Sequence, residues 1–394
     1  MSIPTKEALE TIVAKYLPQI REIRQYLHAH PELSYKEFKT SDFIREQLKN
    51  TELEPLPPFL ETDTVAFLNK DKAGKNVTLR ADIDALPIQE ATQCSYKSQN
   101  DGIMHACGHD GHIAMLLGAA MVLCEFKDEL NGSVRFVFQP AEEGLCGGRD
   151  LVNAGALKNP EPNVVFGFHG WPGYKTGQFM SKAGSVTSAC DLFTIKIFGK
   201  GAHSSTPELG IDPIIISAKI IEALKNIATD RFSPLENVLV SVCKIVSGTA
   251  SNIIPETAQM EGSARYFNPA YGLKIQKYMK KIIRGICKIY GATFEFDYKL
   301  LYIPTINNRT AVDFSEKIAT KYFGKHSWTT LERPVMGSED FSFFIKSYPG
   351  AFINIGLGED SSGLHTNTFD FNDLVLANGV TMFCALALEF LEKK

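Results

Sequence analysis

No apolar run in this sequence of 394 residues is long enough to cross a bilayer as a helix. The longest, Ile113 to Cys124, is closed by Glu125 after twelve residues, whereas a spanning helix takes about 20. It reads as a buried helix. The amino-terminal stretch carries Lys6, Glu7, Glu10 and Lys15 and so lacks the unbroken apolar segment of an export signal. A basic excess is missing too. With a formal charge of -4, neither nucleic acid nor an anionic membrane finds the positive face it requires. The eight cysteines, at 94, 107, 124, 146, 190, 243, 287 and 384, show no paired spacing. Without an export signal they imply reduced thiols and a cytoplasmic setting. There is no internal repeat and no low-complexity tract.

What is present is the composition of an ordinary globular protein, 44% hydrophobic and 22% charged, in a chain too long for a single core. Leu9, Ile12, Val13, Tyr16, Ile20, Ile23 and Leu27 recur at helical spacing despite Pro18. Strand-like runs follow at Thr64–Leu68, Val77–Ala81 and Ser133–Phe138, with a helix starting near Gly111 between the last two. Alternating strands and helices predict an α/β layer fold with a mixed, largely parallel sheet.

The pattern changes near Gly184. From there the order is strand (Asp191–Phe198), helix (Asp212–Ala228), strand (Val238–Val246), strand (Thr257–Tyr266), helix (Tyr271–Tyr290), strand (Thr293–Leu301). That βαββαβ order is ferredoxin-like. The expectation is a catalytic domain formed by residues 1–186 and 303–394, interrupted by an inserted domain at 187–302.

The densest chemistry is His105-Ala-Cys-Gly-His-Asp-Gly-His112. Cys107 and His109 are thiolate and imidazole donors preferred by zinc and related metals, and Gly108 gives the backbone freedom to aim both at one atom. His105 and His112 fit a supporting role as well as ligation. The apolar strand before Gln139 ends in Glu142 and Glu143. By alternation adjacent acids point apart, so one can bind metal while the other serves as general base. His169 follows an apolar run and His365 lies in Gly363-Leu-His-Thr-Asn. Either alone reads as structural; as further members of this set each becomes a candidate ligand. Asp82 and Asp84 share a strand face by alternation, where a carboxylate can hold a ligand histidine in one tautomer or merely cap a loop. A thiol hydrolase with Cys107 as nucleophile is the competing enzyme reading, and it leaves Glu143, His169 and His365 without a role. A non-catalytic binding protein would be expected to have lost one of these groups.

These motifs, with Leu27-His-Ala-His-Pro-Glu-Leu33, Gly199-Lys-Gly-Ala-His203, Ser247–Pro255 and Gly337-Ser-Glu-Asp-Phe341, give the chain a resemblance to the metal-dependent amidohydrolases. That family includes hippurate hydrolase, bacterial aminoacylases, N-acetyldiaminopimelate deacetylase and auxin-conjugate hydrolases, within the di-zinc carboxypeptidase clan. The resemblance implies Cys107, His109, Glu143, His169 and His365 as ligands of two divalent transition-metal ions, zinc first and manganese, cobalt or nickel as alternatives. It implies Glu142 as general base, Asp84 as a supporting aspartate, His203 as the group polarising the scissile carbonyl, and Asn252 and Arg265 as holders of the substrate carboxylate. The substrate implied is an N-acyl amino acid, with small peptides as the alternative. A homodimer through the inserted domain is implied as well, in which His203 can serve the partner subunit's site.

Overall fold

The computed structural model describes residues 3–233 and 235–392. The chain divides into two compact units, one comprising Met1–Val186, Thr305–Arg333 and Asp340–Lys394, the other Thr187–Pro304 and Pro334–Glu339.

The first unit is built on a mixed sheet of eight strands. Lys75–Asp82 runs parallel to Gly132–Gln139 on one side and to Val164–Trp171 on the other, and Gly350–Gly356 extends the parallel run. Thr64–Leu68 closes onto Gly132–Gln139 from the far side in antiparallel register. Strands covered on both faces read as continuous apolar runs, and Gly132–Gln139 is buried at every position. The register pairs Asp82 with Gln139, so the carboxyl ends of the central strands lie together, where α/β sheets place their sites.

The helix His109–Glu125 has no polar face; His109 through Leu123 are all buried. It packs between the helices Lys6–Ala29 and Leu376–Phe390. The segment Asp373–Phe390 is long and apolar enough to cross a membrane by length and composition. Its apolarity is accounted for by the core, in which Leu376, Val380 and Met382 through Leu388 are enclosed.

The second unit is a four-stranded antiparallel sheet ordered Leu239–Ser247, Thr257–Tyr266, Ala189–Phe198, Thr293–Tyr302. Helices Pro213–Lys225 and Tyr271–Tyr290 supply Ile216, Ile220, Ile275, Met279 and Ile283 to its core. This is the ferredoxin-like order. The helix expected through Ala228 stops at Lys225, and a second short helix, Ile227–Arg231, follows Asn226. Residues Pro334–Glu339 belong to this unit rather than to the first. Backbone bonding explains it: Ser188 N donates to Gly337 O at 2.8 Å, and Thr187 bridges Val335.

At Gly111 the first turn of the buried helix meets the ring of Phe371. A Cβ there would stand 2.4 Å from two ring carbons, and Phe371 is itself buried. Overpacking this severe costs roughly 3 kcal/mol, against the roughly 1 kcal/mol that alanine gains over glycine in a helix. Gly111→Ala is therefore expected to lower the unfolding free energy of the metal-free protein by about 2 kcal/mol in urea titrations. An unchanged midpoint would mean that the Phe371 ring can move aside.

Candidate metal centre

Gly108 caps the helix His109–Glu125 with a left-handed backbone, φ +86°. That turn sets Cys107 and His109 on either side of it, both buried. A side chain at 108 would press on Phe369 and Phe371 as well. The donor atoms of Cys107, His109 and His169 lie within 4.8 Å of one another, and so do those of Cys107, Glu143 and His365. Two donor sets thus share one sulfur. A third set, His109, Glu142 and Glu143, overlaps both.

The pair of glutamates departs from the expectation that neighbouring acids point apart. The strand ends at Gln139, and Ala141 takes a left-handed φ of +55°. Alternation no longer applies beyond that point, and both carboxylates reach the neighbourhood of His109. They remain distinct in setting: Glu142 is buried, Glu143 half-buried.

His169 stands near the end of Val164–Trp171. Its Nδ1 donates to Gly170 O at 2.8 Å, which leaves Nε2 as the acceptor nitrogen, 3.4 Å from Cys107 Sγ. His365 approaches from the opposite end of the chain. Its backbone is left-handed, φ +61°, a conformation that costs energy in a non-glycine residue, and His365 N is held by Ala106 O at 2.8 Å. Its Nε2 lies 3.3 Å from Cys107 Sγ and 3.2 Å from Glu143 Oε1.

Negative charge is concentrated around His109. Asp84 Oδ1 is 3.2 Å from its Nδ1 and Asp82 Oδ2 3.8 Å from its Nε2, yet neither contact has the alignment of a hydrogen bond. Burial works against a charged imidazole, but Asp82, Asp84 and Glu143 raise the His109 pKa to about 10. Burial, with Glu143 and Glu142 beside it, pushes the Cys107 thiol well up. Both His109 nitrogens and Glu143 Oε1 are buried without hydrogen-bond partners, a cost that proteins rarely leave standing. A soft-to-borderline donor set with unsatisfied lone pairs and excess buried carboxylate is what a divalent transition metal would satisfy. The residues present fit such ions.

His112, open between support and ligation in the sequence, joins two elements: its Nδ1 donates to Asp82 Oδ1 at 2.6 Å, and its Nε2 accepts from Gly170 N at 2.8 Å, beside His169. Other supporting residues escaped the sequence reading. Ser34 Oγ donates to Asp84 Oδ2 at 2.6 Å, and the same oxygen accepts Glu143 N at 2.9 Å. Glu37 Oε1 accepts Ala141 N at 2.8 Å, pinning the left-handed turn before the paired glutamates. The signal available in the sequence was the Leu27–Leu33 motif just ahead of these residues, whose role the sequence did not explain.

The remaining candidates lie in the second unit. His203 and Asn252 are both exposed and share a cleft with Thr257; Ser204 N donates to Asn252 O at 3.0 Å. Arg265 sits near the other end of the strand Thr257–Tyr266, roughly 25 Å along at about 3.3 Å per residue. There its Nη1 donates to Met336 O at 2.6 Å and to Ser338 Oγ at 3.2 Å. Within one chain, Asn252 and Arg265 are thus separated by the length of one strand.

The fold and this cluster define an amide hydrolase of metal-binding type, and comparison with known proteins agrees. Residues 78–389 match the model of peptidase family M20/M25/M40, and the chain belongs to that family. It is 38% identical to thermostable carboxypeptidase 1 of Saccharolobus solfataricus, over 98% of this chain and 99% of the relative. It is 34% identical to hippurate hydrolase of Campylobacter jejuni, over 95% and 97%. Among solved structures, a dinuclear metal binding peptidase of the M20 family from Bacillus subtilis superposes with a TM-score of 0.83 at 33% identity, over 96% and 99%.

Glu37 offers a test of the local electrostatics. Burial, then Asp84, raises its pKa to about 7 from an ordinary 4.5. A carboxyl raised on folding contributes stability that is full below the unfolded value and is lost as pH rises through the folded one. Wild type should therefore lose ground to Glu37→Gln between pH 4.5 and 7, with a constant difference above. The check is the difference in unfolding free energy of the metal-free proteins at several pH values; a difference flat across that window contradicts the shift.

Proposed function

We propose that this chain hydrolyses the amide bond of N-acyl amino acids, of N-acetyl or N-benzoyl type, using two divalent metal ions held by Cys107, His109, Glu143, His169 and His365. The observation that carries the reading is the pair of donor sets sharing Cys107 Sγ, with Glu142 alongside. The relatives named hippurate hydrolase and N-acyl-L-amino acid amidohydrolase support the substrate class. Thiolate with imidazole favours zinc, and manganese, cobalt and nickel remain compatible.

Metal ions bound there would lower the pKa of an attacking water and stabilise negative charge on the substrate carbonyl oxygen. Glu142 takes the proton from the water and delivers it to the departing amine nitrogen, a contribution typically of ~10²–10⁴-fold. Asp84, fixed by Ser34 Oγ and Glu143 N, places its charge 3.2 Å from His109 Nδ1 and strengthens the imidazole as a metal donor. His203 donates to the carbonyl oxygen as charge develops. Its Nδ1 accepts from Ser205 N at 3.1 Å, which leaves Nε2 to carry that proton. Arg265 pairs with the substrate carboxylate, and Asn252 belongs with His203. The distance between the His203–Asn252 pair and Arg265 favours a homodimer in which that pair serves the partner subunit's site.

A carboxypeptidase or dipeptidase acting on small peptides is the second reading, favoured by the relative named thermostable carboxypeptidase 1. Hydrolysis of N-acetyl, N-benzoyl and dipeptide substrates, with each metal added back, decides between them. The thiol-hydrolase alternative is disfavoured by burial and by the glutamates that keep Cys107 protonated when no metal is bound.

Glu142→Gln should keep its metal while kcat falls by about 10² or more. Metal lost with Glu142→Gln but retained with Glu143→Gln would exchange the two roles. Mixed subunits of His203→Ala and Glu142→Gln should regain activity that neither has alone. Absence of recovery despite verified subunit exchange would place His203 outside the partner's site.

A further inference from the structure

The motif Leu27–Leu33 contains one of a buried pair of cations that the chemistry above leaves unused, and the other lies just ahead of it. Arg24 and His28 lie four residues apart, on one face of the helix Lys6–Ala29, and both are fully buried. Arg24 faces two stretches of chain that lie far apart in sequence, at Asp110 and at Asp370 and Asp373. Its Nε is 3.1 Å from Asp110 Oδ2, on the residue after His109, and 3.5 Å from Asp373 Oδ1. Its Nη2 donates to Asp370 Oδ1, five residues beyond His365. Tyr96 stacks beneath the guanidinium, with ring centroid and Cζ 4.8 Å apart, and donates to Asp370 Oδ2 at 2.8 Å.

His28 holds the same aspartate from the other side. Its Nδ1 donates to Asp110 Oδ2 at 2.8 Å and its Nε2 contacts Glu90 Oε1 at 3.2 Å. Burial opposes its charge, but Asp110 and Glu90 raise its pKa to about 9, so at neutral pH both nitrogens donate. Glu90 is fixed in turn by Ser98 N at 2.6 Å, and Ala91 N donates to Asn367 O at 2.7 Å. The loop after Glu90 is thereby tied to the His365 segment as well.

We propose that Arg24 and His28 are positioning residues for the metal centre: together they clamp Asp110 and Asp370 so that the Cys107–His109 turn and the His365 segment hold their donors at binding distance. This rests on the two-metal reading above. A cluster of donors drawn from positions more than 250 residues apart in sequence (Cys107 and His365) repels itself through its carboxylates, and one backbone bond, His365 N to Ala106 O, needs support from outside the cluster to hold the two segments. Arginine suits the task because its planar fork reaches two carboxylates at once, which a lysine ammonium on a flexible stem does not. Removing His28 takes the cation from buried Glu90, and removing Arg24 leaves Asp110 to His28 alone and Asp370 without its guanidinium, so the strained backbone at His365 then has one restraint fewer.

The test is zinc affinity by competition with a chromophoric chelator, with the absorption spectrum of the cobalt-substituted protein as a second readout. Wild type and Cys107→Ala come first. Tight binding by the former and loss in the latter establish the metal reading itself, and a wild type that takes up no zinc would remove that reading and the clamp with it. Arg24→Lys, folded by circular dichroism, should bind zinc about 10- to 100-fold more weakly, with an altered cobalt spectrum. His28→Gln should weaken zinc binding about tenfold and serves should Arg24→Lys fail to fold. Arg21→Gln is the control, since Arg21 is exposed and among the described residues its ion pair is with Asp373, at 3.8 Å; it should bind as wild type does. Wild-type affinity and spectrum in a folded Arg24→Lys or His28→Gln protein, even one of lowered thermal stability, would reduce these residues to a purely structural role and overturn the proposal. So would an equal loss in Arg21→Gln.

Discussion

Four carboxylates, those of Asp82, Asp84, Glu142 and Glu143, converge on one buried imidazole. Charge removed from water must be compensated or it destabilises the fold by several kcal/mol. Within the chain Arg80 and His112 answer for Asp82, and His109 answers with its pKa raised to about 10. Divalent ions would answer better, and much of the surrounding structure can be understood as preparation for them. The left-handed turn at Gly108, the left-handed Ala141 and the left-handed His365 each bend the chain away from its comfortable path to bring a donor inward.

The bends at Ala141 and His365, and Asp84 beside them, are each tied to a neighbouring group. Asp84 is bonded by Ser34 and by the backbone of Glu143; Ala141 by Glu37; His365 by Ala106. Asp82 lies between His112 and Arg80, and Arg80 passes the connection to Asp340 at 2.9 Å. Asp340 also accepts from Gln139 Nε2 and Gly148 N, binding the start of the C-terminal segment to the loop that carries the glutamates. The parallel strands beneath supply a platform whose carboxyl ends coincide. Function is thus carried by loops, and precision by the sheet and by buried polar bonds behind the loops.

The sequence disclosed the donors better than their supports. Cys107, His109, His169 and His365 were visible because such side chains are rare and have few reasons to follow apolar strands. Strands such as Thr64–Leu68 and Thr257–Tyr266, and the helix Tyr271–Tyr290, were legible from their periodicity, and the structure has them at those bounds. Three-residue strands such as Phe179–Ser181 and Trp328–Thr330 are too short to carry a period. The alternation argument separating Glu142 from Glu143 failed because the strand had already ended. The partners of Arg24 lie 86 to 349 residues further along the chain, and no local pattern announces a contact of that kind. The grouping of Pro334–Glu339 with the second unit likewise depends on a backbone bridge to Thr187, a tertiary fact.

The most direct measurement is a titration of activity in the chelator-stripped protein against added zinc or cobalt, using an N-acyl amino acid as substrate and monitoring the free amine released. Activity absent at the start, rising with metal and complete at two ions per chain, is the result expected from two donor sets sharing Cys107. Full hydrolysis in excess chelator, with metal shown to be absent, would contradict the account.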